Sequence, residues 1–190
     1  MITLGITGGI GCGKTTICKI LSLLDIPLFI SDIEAKKLMV ENHQIKTKLT
    51  TILGDKSYFP TGQLNKPYIS NLIFNNPKTL ELVNKVVHQA TKDAFIKWKQ
   101  QQTSSIVAYE SALLFESNSN EIVDKVIYIK APLEIRIKRV MLRDHISREK
   151  VMDRIKNQLD DKIKENKADY IIYNHNRLVI PQIINLINQI

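Results

Sequence analysis

A glycine-rich segment near the amino terminus carries the clearest chemical pattern in the chain. Residues 8–15 fit the pattern G-x-x-x-x-G-K-[ST] at every specified position. In a loop of this kind, backbone N–H groups turn inward around phosphate oxygens, and the helix that follows adds its positive end. We therefore predict a phosphate-binding loop in which the nucleotide contacts come from Gly8, Gly9, Gly11, Cys12, Gly13, Lys14, Thr15 and Thr16.

The side chains of this loop have distinct expected roles. Lys14 is a point charge for the β- and γ-phosphates, the Thr15 hydroxyl can ligate Mg²⁺, and the Thr16 hydroxyl can bind an inner phosphate. Cys12 is interpreted as a small filler inside the loop, with a reactive thiolate at the helix N-terminus as the alternative. A plain glycine-rich turn is the alternative for the whole segment. The apolar run before the loop and the helical pattern after it argue against that alternative.

Two carboxylates are predicted to follow strands and so to reach the ligand-binding edge of a parallel sheet. Asp32 follows the second strand, where it could accept or orient the proton of an attacking hydroxyl. The alternative role of Asp32 is to cap the next helix. Glu110 ends the third strand, where a carboxylate can support a bound Mg²⁺. Glu110, and Glu116 six residues later, could each pair with a lysine instead.

The sharpest basic feature is a group of arginines at helical spacing. Arg136, Arg139 and Arg143 are three and four residues apart and share one helix face. Such a face beside a phosphate loop could neutralise charge on a transferring phosphoryl group. The segment 143–148 looks like the tip of a mobile lid. The alternative is an exposed helix face whose arginines pair with nearby acidic residues: Glu134, Asp144 and Glu149.

Short apolar strands alternate with helical patterns along the chain. Strands are predicted at residues 2–6, 27–30, 106–109, 126–129 and 170–173, and helices at residues 14–24, 33–40, 77–102, 133–142, 148–164 and 178–190. Residues 55–67 have the Asp, Pro, Gly and Asn content of a loop. This alternation predicts an α/β fold with three layers, a five-stranded parallel sheet and right-handed crossovers.

The connection between the second and third strands is too long for a simple crossover. Residues 33–103 are almost all helical in pattern and far exceed what one crossover needs. We interpret them as a helical insertion that carries the second substrate. His88 lies in the longest predicted helix of this insertion, where a lone histidine is more often a core or surface residue than part of a site.

Composition narrows the class of protein. The chain has 190 residues with 44% apolar and 24% charged residues, which excludes a disordered or repeat protein. The net charge of +8 favours anionic partners such as a nucleotide, nucleic acid or an anionic membrane. The sequence contains no apolar stretch of membrane-spanning length and no secretory signal, and Cys12 and Cys18 cannot form a disulfide framework. We therefore expect a cytoplasmic protein with no membrane partner.

Two other classes of nucleotide-binding protein fit poorly. A GTPase would need N-K-x-D and D-x-x-G, but Asn65-Lys66 lacks the aspartate and no Asp stands three residues before a glycine. An ATP-dependent nucleic-acid binder would interleave basic and aromatic residues, whereas the chain has one Trp and no RNA-binding signature. We therefore predict a small-molecule kinase with no nucleic-acid partner, and a nucleoside or nucleotide kinase stays open as an alternative.

Taken together, these residues resemble the dephospho-coenzyme A kinase family over nearly the whole chain. The loop is similar to that of the family, with Cys12 and Thr15 where Ser is usual, and Asp32 falls on the second Asp of the family's D-A-D. Ile30, Lys66, Gln89 and Ala112 replace an Asp, an Arg and two Pro residues of the family pattern. The remaining matches are Gly62 to Lys66, His88, Ala112 to Glu116, Arg139, Arg143-Asp144, Gln158, Ala168-Asp169 and Asn174.

The resemblance implies a P-loop kinase fold that transfers a phosphoryl group from ATP, with Mg²⁺, to the ribose 3′-hydroxyl of dephospho-CoA. It implies a nucleotide-binding core (1–32 and 104–190), a dephospho-CoA-binding insertion (33–103) and a lid (136–165). The implied catalytic residues are Lys14, Asp32 and Arg139, with Arg143 and Asn174 as further nucleotide contacts, Asp32, His88, Leu113 and Arg139 as acceptor contacts, and Thr15 and Glu110 at the metal. We expect a monomer, with a small homo-oligomer as the alternative.

Overall fold

The computed structural model describes residues 1–74 and 76–190, which form two compact units. The first unit combines Met1–Ile30 with Gln102–Ile190, and the second is Ser31–Gln101. The insertion that we predict from the sequence is 33–103, so the first and last residues of the second unit each lie two positions earlier than predicted.

The first unit contains a five-stranded parallel sheet within the part of the chain that is described. Its strands are β1 (Ile2–Thr7), β2 (Leu28–Ile30), β3 (Ile106–Glu110), β4 (Lys125–Lys130) and β5 (Tyr170–Tyr173), in the order β2-β3-β1-β4-β5. The central strand β1 is buried from Thr3 to Thr7, as expected of a strand covered on both faces. Register places Ile6 beside Glu110 and Thr7 beside Tyr128, so these residues lie at the carboxyl edge of the sheet. The predicted parallel α/β fold is confirmed.

The helices lie between the strands and at the end of the chain. They are α1 (Lys14–Leu23), α2 (Ser31–Glu41), α3 (His43–Leu53), α4 (Lys66–Phe74), α5 (Pro77–Gln100), α6 (Leu133–Asp144), α7 (Arg148–Lys156), α8 (Asp161–Lys167) and α9 (Val179–Ile187). In the first unit, α1 and α9 share one apolar core with the sheet, to which α1 contributes Ile17, Cys18 and Leu21. This core holds the carboxyl end of β1 and the start of α1 in place, and the glycine-rich loop joins the two.

The second unit consists of α2 to α5 with a short 3₁₀ turn at Asp55–Ser57. Side chains fix the starts of its helices: Asn42 accepts a hydrogen bond from the Ile45 N–H, and Asn76 accepts one from the Thr79 N–H. Pro77 occupies the first turn of α5, where the missing N–H costs little. The helices enclose their own core of Ile45, Leu49, Leu53, Ile69 and Val83.

Three expectations about local structure are wrong. The helix predicted at 148–164 is interrupted after Lys156 and resumes at Asp161, because the Asp160 carboxylate caps α8 by accepting from the Lys162 N–H. Asp32 is not a cap, since α2 begins at Ser31, directly after β2, and Asp32 lies inside its first turn. The predicted loop at 55–67 ends two residues early, because α4 begins at Lys66.

No helix in residues 1–74 or 76–190 combines the length and the apolar character needed to cross a bilayer.

Candidate active site

The glycine-rich loop connects β1 to α1 at the carboxyl edge of the sheet. Gly11 and Gly13 have φ angles of 78° and 95°, in the left-handed region that side chains with a Cβ rarely adopt. A Cβ at Gly13 would also collide with the amide group of Asn174. Gly13 occupies the cap position of α1 without a capping side chain, and the first turn of α1 contains no acidic residue. The positive end of α1 is therefore available to an anion.

Lys14 is the first residue of α1 and folds back across the loop. Its Nζ donates a hydrogen bond of 3.1 Å to the carbonyl oxygen of Gly8, which brings the ammonium group between the two ends of the loop. The next two residues, Thr15 and Thr16, are exposed in the same turn. Together these three side chains present one positive charge and two hydroxyl groups on the accessible side of the loop.

Cys12 fills space inside the loop, in agreement with its interpretation as a small filler. The residue is fully buried, and a Cβ at Gly8 would lie 2.7 Å from its Sγ. Burial raises the pKa of the Cys12 thiol above its ordinary value, although the charge of Lys14 acts in the opposite direction. The Cys12 thiol therefore stays protonated near neutral pH, and the alternative of a reactive thiolate is not supported.

Arg139 and Asn174 both contact the carbonyl groups of the loop. The Arg139 NH1 group donates to the carbonyls of Gly11 (3.4 Å) and Cys12 (3.3 Å). Its NH2 group donates to the carbonyl of Asn174 at 3.0 Å, and the Asn174 Nδ2 donates to the carbonyl of Cys12 at 2.8 Å. The structure thus brings these two predicted site residues to the loop, where they hold carbonyl groups in place.

Arg136, on the same helix as Arg139, is not an exposed cation. Only 2% of the residue is accessible, and its NH1 group pairs with the Asp161 carboxylate at 2.5 Å. A Cβ at Gly9 would collide with the Arg136 guanidinium, so the guanidinium lies directly against the loop. For Arg136 the alternative of an exposed, acid-paired face is therefore wrong, and its guanidinium lies beside the loop.

Gln158 forms a further contact to the loop. Its Oε1 accepts a hydrogen bond of 2.8 Å from the Ile10 N–H, across 148 residues of sequence. The Leu159 N–H donates to Glu116, and Glu116 also pairs with the buried Lys164 at 2.7 Å. The pairing of Glu116 with a lysine, one of its two sequence interpretations, is confirmed. The interruption between α7 and α8 therefore places Gln158 against the loop.

Arg143 is not brought to the loop. It pairs with the carboxylate of its neighbour Asp144 at 2.7 Å, and Arg154 binds the same carboxylate at 2.6 Å. The two arginines hold the pKa of Asp144 at about 2, so its carboxylate stays ionised at ordinary pH values. Arg148 pairs with Glu134. Arg143 and Arg148 therefore show the acidic pairing that was the alternative for the arginine face.

Glu110 and Leu113 lie after the buried part of β3. Glu110 is 8% exposed and ends β3 beside Ile6, the penultimate residue of β1. Burial is the main cause that raises the pKa values of Cys12 and Cys18, and the charge of Glu110 adds to it, so the carboxylate is electrostatically coupled to the loop region. Leu113 is half-buried in the turn that follows. The structure therefore places a carboxylate at the sheet edge from which the loop emerges.

Mg²⁺ would find suitable ligands near the loop. The Thr15 hydroxyl is exposed in the first turn of α1, and Glu110 supplies carboxylate oxygens at the end of β3. The described residues contain no group of three His, Cys, Asp or Glu side chains that could hold a metal ion. A hydroxyl and a carboxylate are oxygen ligands of the kind that Mg²⁺ takes beside phosphate oxygens and water, so this donor set fits the ion.

Asp32 and His88 belong to the second unit. Asp32 is exposed in the first turn of α2, two residues after β2 ends, and α2 packs against α5, which carries His88. Burial and the charge of Lys92 hold the pKa of His88 below its usual value, while the Asp32 carboxylate acts in the opposite direction. The two predicted acceptor residues therefore lie within range of each other's charge.

Comparison with known proteins matches the chain to a protein family over most of its length. Residues 2–179 match the family model described as Dephospho-CoA kinase. A dephospho-CoA kinase of Bacteroides fragilis is 36% identical over 188 residues, which cover 98% of this chain and 91% of the relative.

Solved structures agree with this match. A protein of Thermus thermophilus superimposes with a TM-score of 0.87 at 26% identity, over 99% of this chain and 96% of the other. The dephospho-CoA kinase from Campylobacter jejuni superimposes with a TM-score of 0.72 at 26% identity, over 98% and 96% of the two chains.

Proposed function

Because the chain belongs to the dephospho-CoA kinase family, we propose that it transfers the γ-phosphoryl group of ATP to the ribose 3′-hydroxyl of dephospho-CoA, giving CoA and ADP. The observation that carries this proposal is the loop of residues 8–15, with Lys14 folded across it and the uncapped positive end of α1 behind it. In this reaction the acceptor oxygen forms a bond to the γ-phosphorus while the bond from the γ-phosphorus to the β,γ-bridging oxygen breaks.

The loop and its cations bind and orient the triphosphate. Inward-facing N–H groups would hold the inner phosphates, and Lys14 would contact the β- and γ-phosphates. Arg139 already lies at the Gly11 and Cys12 carbonyls, so it can position the loop and reach a phosphate oxygen with its fork. Charge that develops on the bridging oxygen would then be stabilised by cations that already lie at the loop.

Mg²⁺ supplies charge neutralisation between the β- and γ-phosphates when it is bound. Thr15 would be its direct protein ligand, and Glu110 would hold water molecules of its coordination shell. The buried position of Glu110 favours this indirect role because a carboxylate 8% exposed has little freedom to move toward the ion.

The acceptor is proposed to bind through the insertion, residues 33–103. Asp32 would accept a hydrogen bond from the ribose 3′-hydroxyl and take its proton as the new bond forms. His88 and Leu113 are proposed to contact dephospho-CoA. His88 suits a role as a neutral hydrogen-bonding group, because its pKa lies below the ordinary value for histidine.

Residues 136–165 are proposed to act as the lid, in which Arg143 contacts the nucleotide. Arg143 would have to exchange its ion pair with Asp144 for a phosphate oxygen, and the exposure of its side chain (61%) makes this exchange inexpensive. The working form is proposed to be a monomer, with a small homo-oligomer as the alternative. A cytoplasmic location is proposed as well, since Cys12 and Cys18 are both free thiols.

A coupled-enzyme assay tests the proposed reaction. ATP, Mg²⁺ and dephospho-CoA are supplied together and ADP formation is recorded, with CoA identified by mass. We expect ADP and CoA in equal amounts, and no ADP above background when dephospho-CoA is omitted. A panel of nucleosides and nucleotides serves as alternative acceptors. If one of them is phosphorylated and dephospho-CoA is not, the acceptor assignment is wrong.

Arg139→Lys is expected to lower kcat by about one to two orders of magnitude although the charge is kept. The arginine fork binds two loop carbonyls with one nitrogen and Asn174 with another, and a lysine ammonium cannot satisfy the same planar geometry. Steady-state kinetics with thermal melts measures the effect. Lys138→Arg, the reverse exchange at the exposed neighbouring position, is the control and should behave like the wild type. Wild-type kinetics for Arg139→Lys would show that the fork has no role.

A further inference from the structure

Arg136 is a buried cation that the proposed mechanism does not use. It lies on α6, one helical turn before Arg139, and its guanidinium fills the space beside Gly9 that a Cβ would need. Its exposed fraction is 2%, in a side-chain type that is almost never buried without a partner. A positive charge is therefore held directly against the phosphate loop, on a side chain that solvent does not reach.

The partner of Arg136 balances its charge only in part. Asp161 accepts from the Arg136 NH1 group at 2.5 Å and from the Tyr128 hydroxyl at 2.8 Å. Burial, together with the hydrogen bond to Asp161, raises the pKa of Tyr128, so the hydroxyl stays protonated and remains a donor. The Asp161 side chain is 43% exposed, whereas that of Arg136 is 3% exposed. Solvent screens the carboxylate more than the guanidinium, and a net positive field remains at the loop.

Two observations support a role for this charge beyond packing. The charge of Arg136 is among the influences that lower the pKa of Cys12, whose side chain lies inside the loop. The Arg136 Nε is buried and has no hydrogen-bond partner among residues 1–74 and 76–190. A neutral apolar side chain could fill the same space without an unpaired donor, so packing alone does not account for an arginine here.

We propose that Arg136 is a positioning residue for ATP, which holds Gly9 in place and adds a positive charge behind the bound phosphates. Its guanidinium lies against Gly9 and pairs with Asp161, so in this role Arg136 acts through the loop and through its field. This inference rests on the proposed binding of ATP at the same loop. Asp161 and Tyr128 hold the guanidinium in position.

The test compares charge-removing and charge-keeping variants by ATP binding alone. Arg136→Gln should raise the Kd for ATP by about tenfold, the effect of a unit charge roughly 10 Å away at an effective dielectric constant of about 20. Arg136→Lys keeps the charge and should bind ATP within about threefold of the wild type. Calorimetric titration at fixed ionic strength gives the Kd, and thermal melts on the same samples report stability. Both variants should lose stability, because each disturbs the buried pair.

Lys125→Gln is the matched control. Lys125 lies in the same unit at the start of β4 and forms an exposed pair with Asp169, so this variant removes one positive charge away from the loop. It should leave the Kd for ATP unchanged. Equal weakening by Arg136→Gln and Arg136→Lys, or wild-type binding by Arg136→Gln, would overturn the proposal, since both results fit a purely structural residue.

If Arg136→Gln does not fold, the variant Asp161→Asn tests the same proposal. This variant removes the counter-charge and keeps the guanidinium, so it should bind ATP about threefold more tightly in spite of a lower melting temperature. Unchanged or weaker binding would overturn the proposal. These ATP-binding measurements do not depend on the acceptor. If the wild-type protein bound ATP but did not phosphorylate dephospho-CoA, the proposed function would be contradicted, and the comparison of ATP binding between the variants would still test the role of Arg136.

Discussion

Lys14→Ala is expected to lower kcat for phosphoryl transfer by about two to three orders of magnitude. The ammonium group lies across the phosphate loop at 3.1 Å from the Gly8 carbonyl, the position from which it would contact the β- and γ-phosphates. Charge builds up on the bridging oxygen in the transition state, and no other lysine is placed in the loop to replace the lost cation. Single-turnover measurements with saturating ATP separate this loss from weaker binding.

The fold of the Lys14→Ala variant should remain intact. Within residues 1–74 and 76–190 this side chain donates one hydrogen bond, to Gly8, and a hydrogen bond of that kind contributes about 1 kcal/mol to stability. Lys19→Ala is the control, because Lys19 is an exposed lysine on the same helix, α1. A folded Lys14→Ala enzyme with near-normal turnover would show that residues 8–15 do not bind the reacting phosphates.

Local patterns predict most of the elements that form the sheet. Each strand is a short apolar run, and the run at residues 106–109 differs from the observed Ile106–Glu110 by one residue. Such runs are informative because strands in a parallel sheet are buried on both faces and need no polar alternation. The loop is equally clear in the sequence, since its glycines and Lys14 are close neighbours along the chain. Local sequence therefore suffices where the residues that define a feature are adjacent to one another.

Contacts between distant residues explain what the sequence does not predict. The charged stretch 148–164 has the pattern of one helix, but Gln158 bonds to Ile10, 148 residues away, and the chain turns there. Arg136 has helical spacing to Arg139, yet its partner Asp161 lies 25 residues further along. The spacing of residues predicts which side chains share a helix face. It does not predict which distant carboxylate will pair with a buried arginine on that face. To predict from the sequence that Arg136 is buried and paired, one would have to know that Asp161, at the start of α8, reaches α6.

The acceptor cannot be identified from local patterns either. Helical patterning predicts an insertion between β2 and β3, but no spacing of residues within it identifies dephospho-CoA. That identification comes from the resemblance of several separate segments and agrees with the family match over residues 2–179. The roles of Asp32, His88, Leu113 and Arg143 stay predictions, because the structure shows where each residue lies but not what each one binds.

Asp32→Asn is expected to lower kcat by about two to four orders of magnitude, the range for a positioned general base. Asn keeps the size of the side chain but cannot accept a proton from the ribose 3′-hydroxyl. In a loose transition state the proton leaves late, so orientation of the hydroxyl can account for much of the effect and the lower end of the range applies. ATP affinity should be unchanged, and single-turnover kinetics with both substrates saturating gives the chemical step.

The stability of the same variant distinguishes a catalytic Asp32 from a structural one. Asp32 is in the first turn of α2, where a negative charge is favourable, so Asp32→Asn should cost about 0.3 to 1 kcal/mol. Glu34→Gln removes a charge from the same turn of the same helix and should cost a similar amount, with kcat unaffected. Thermal melts on both variants make the comparison direct. Equal losses of stability with normal single-turnover rates in both would show that Asp32 only stabilises α2, and the base would then have to be another group.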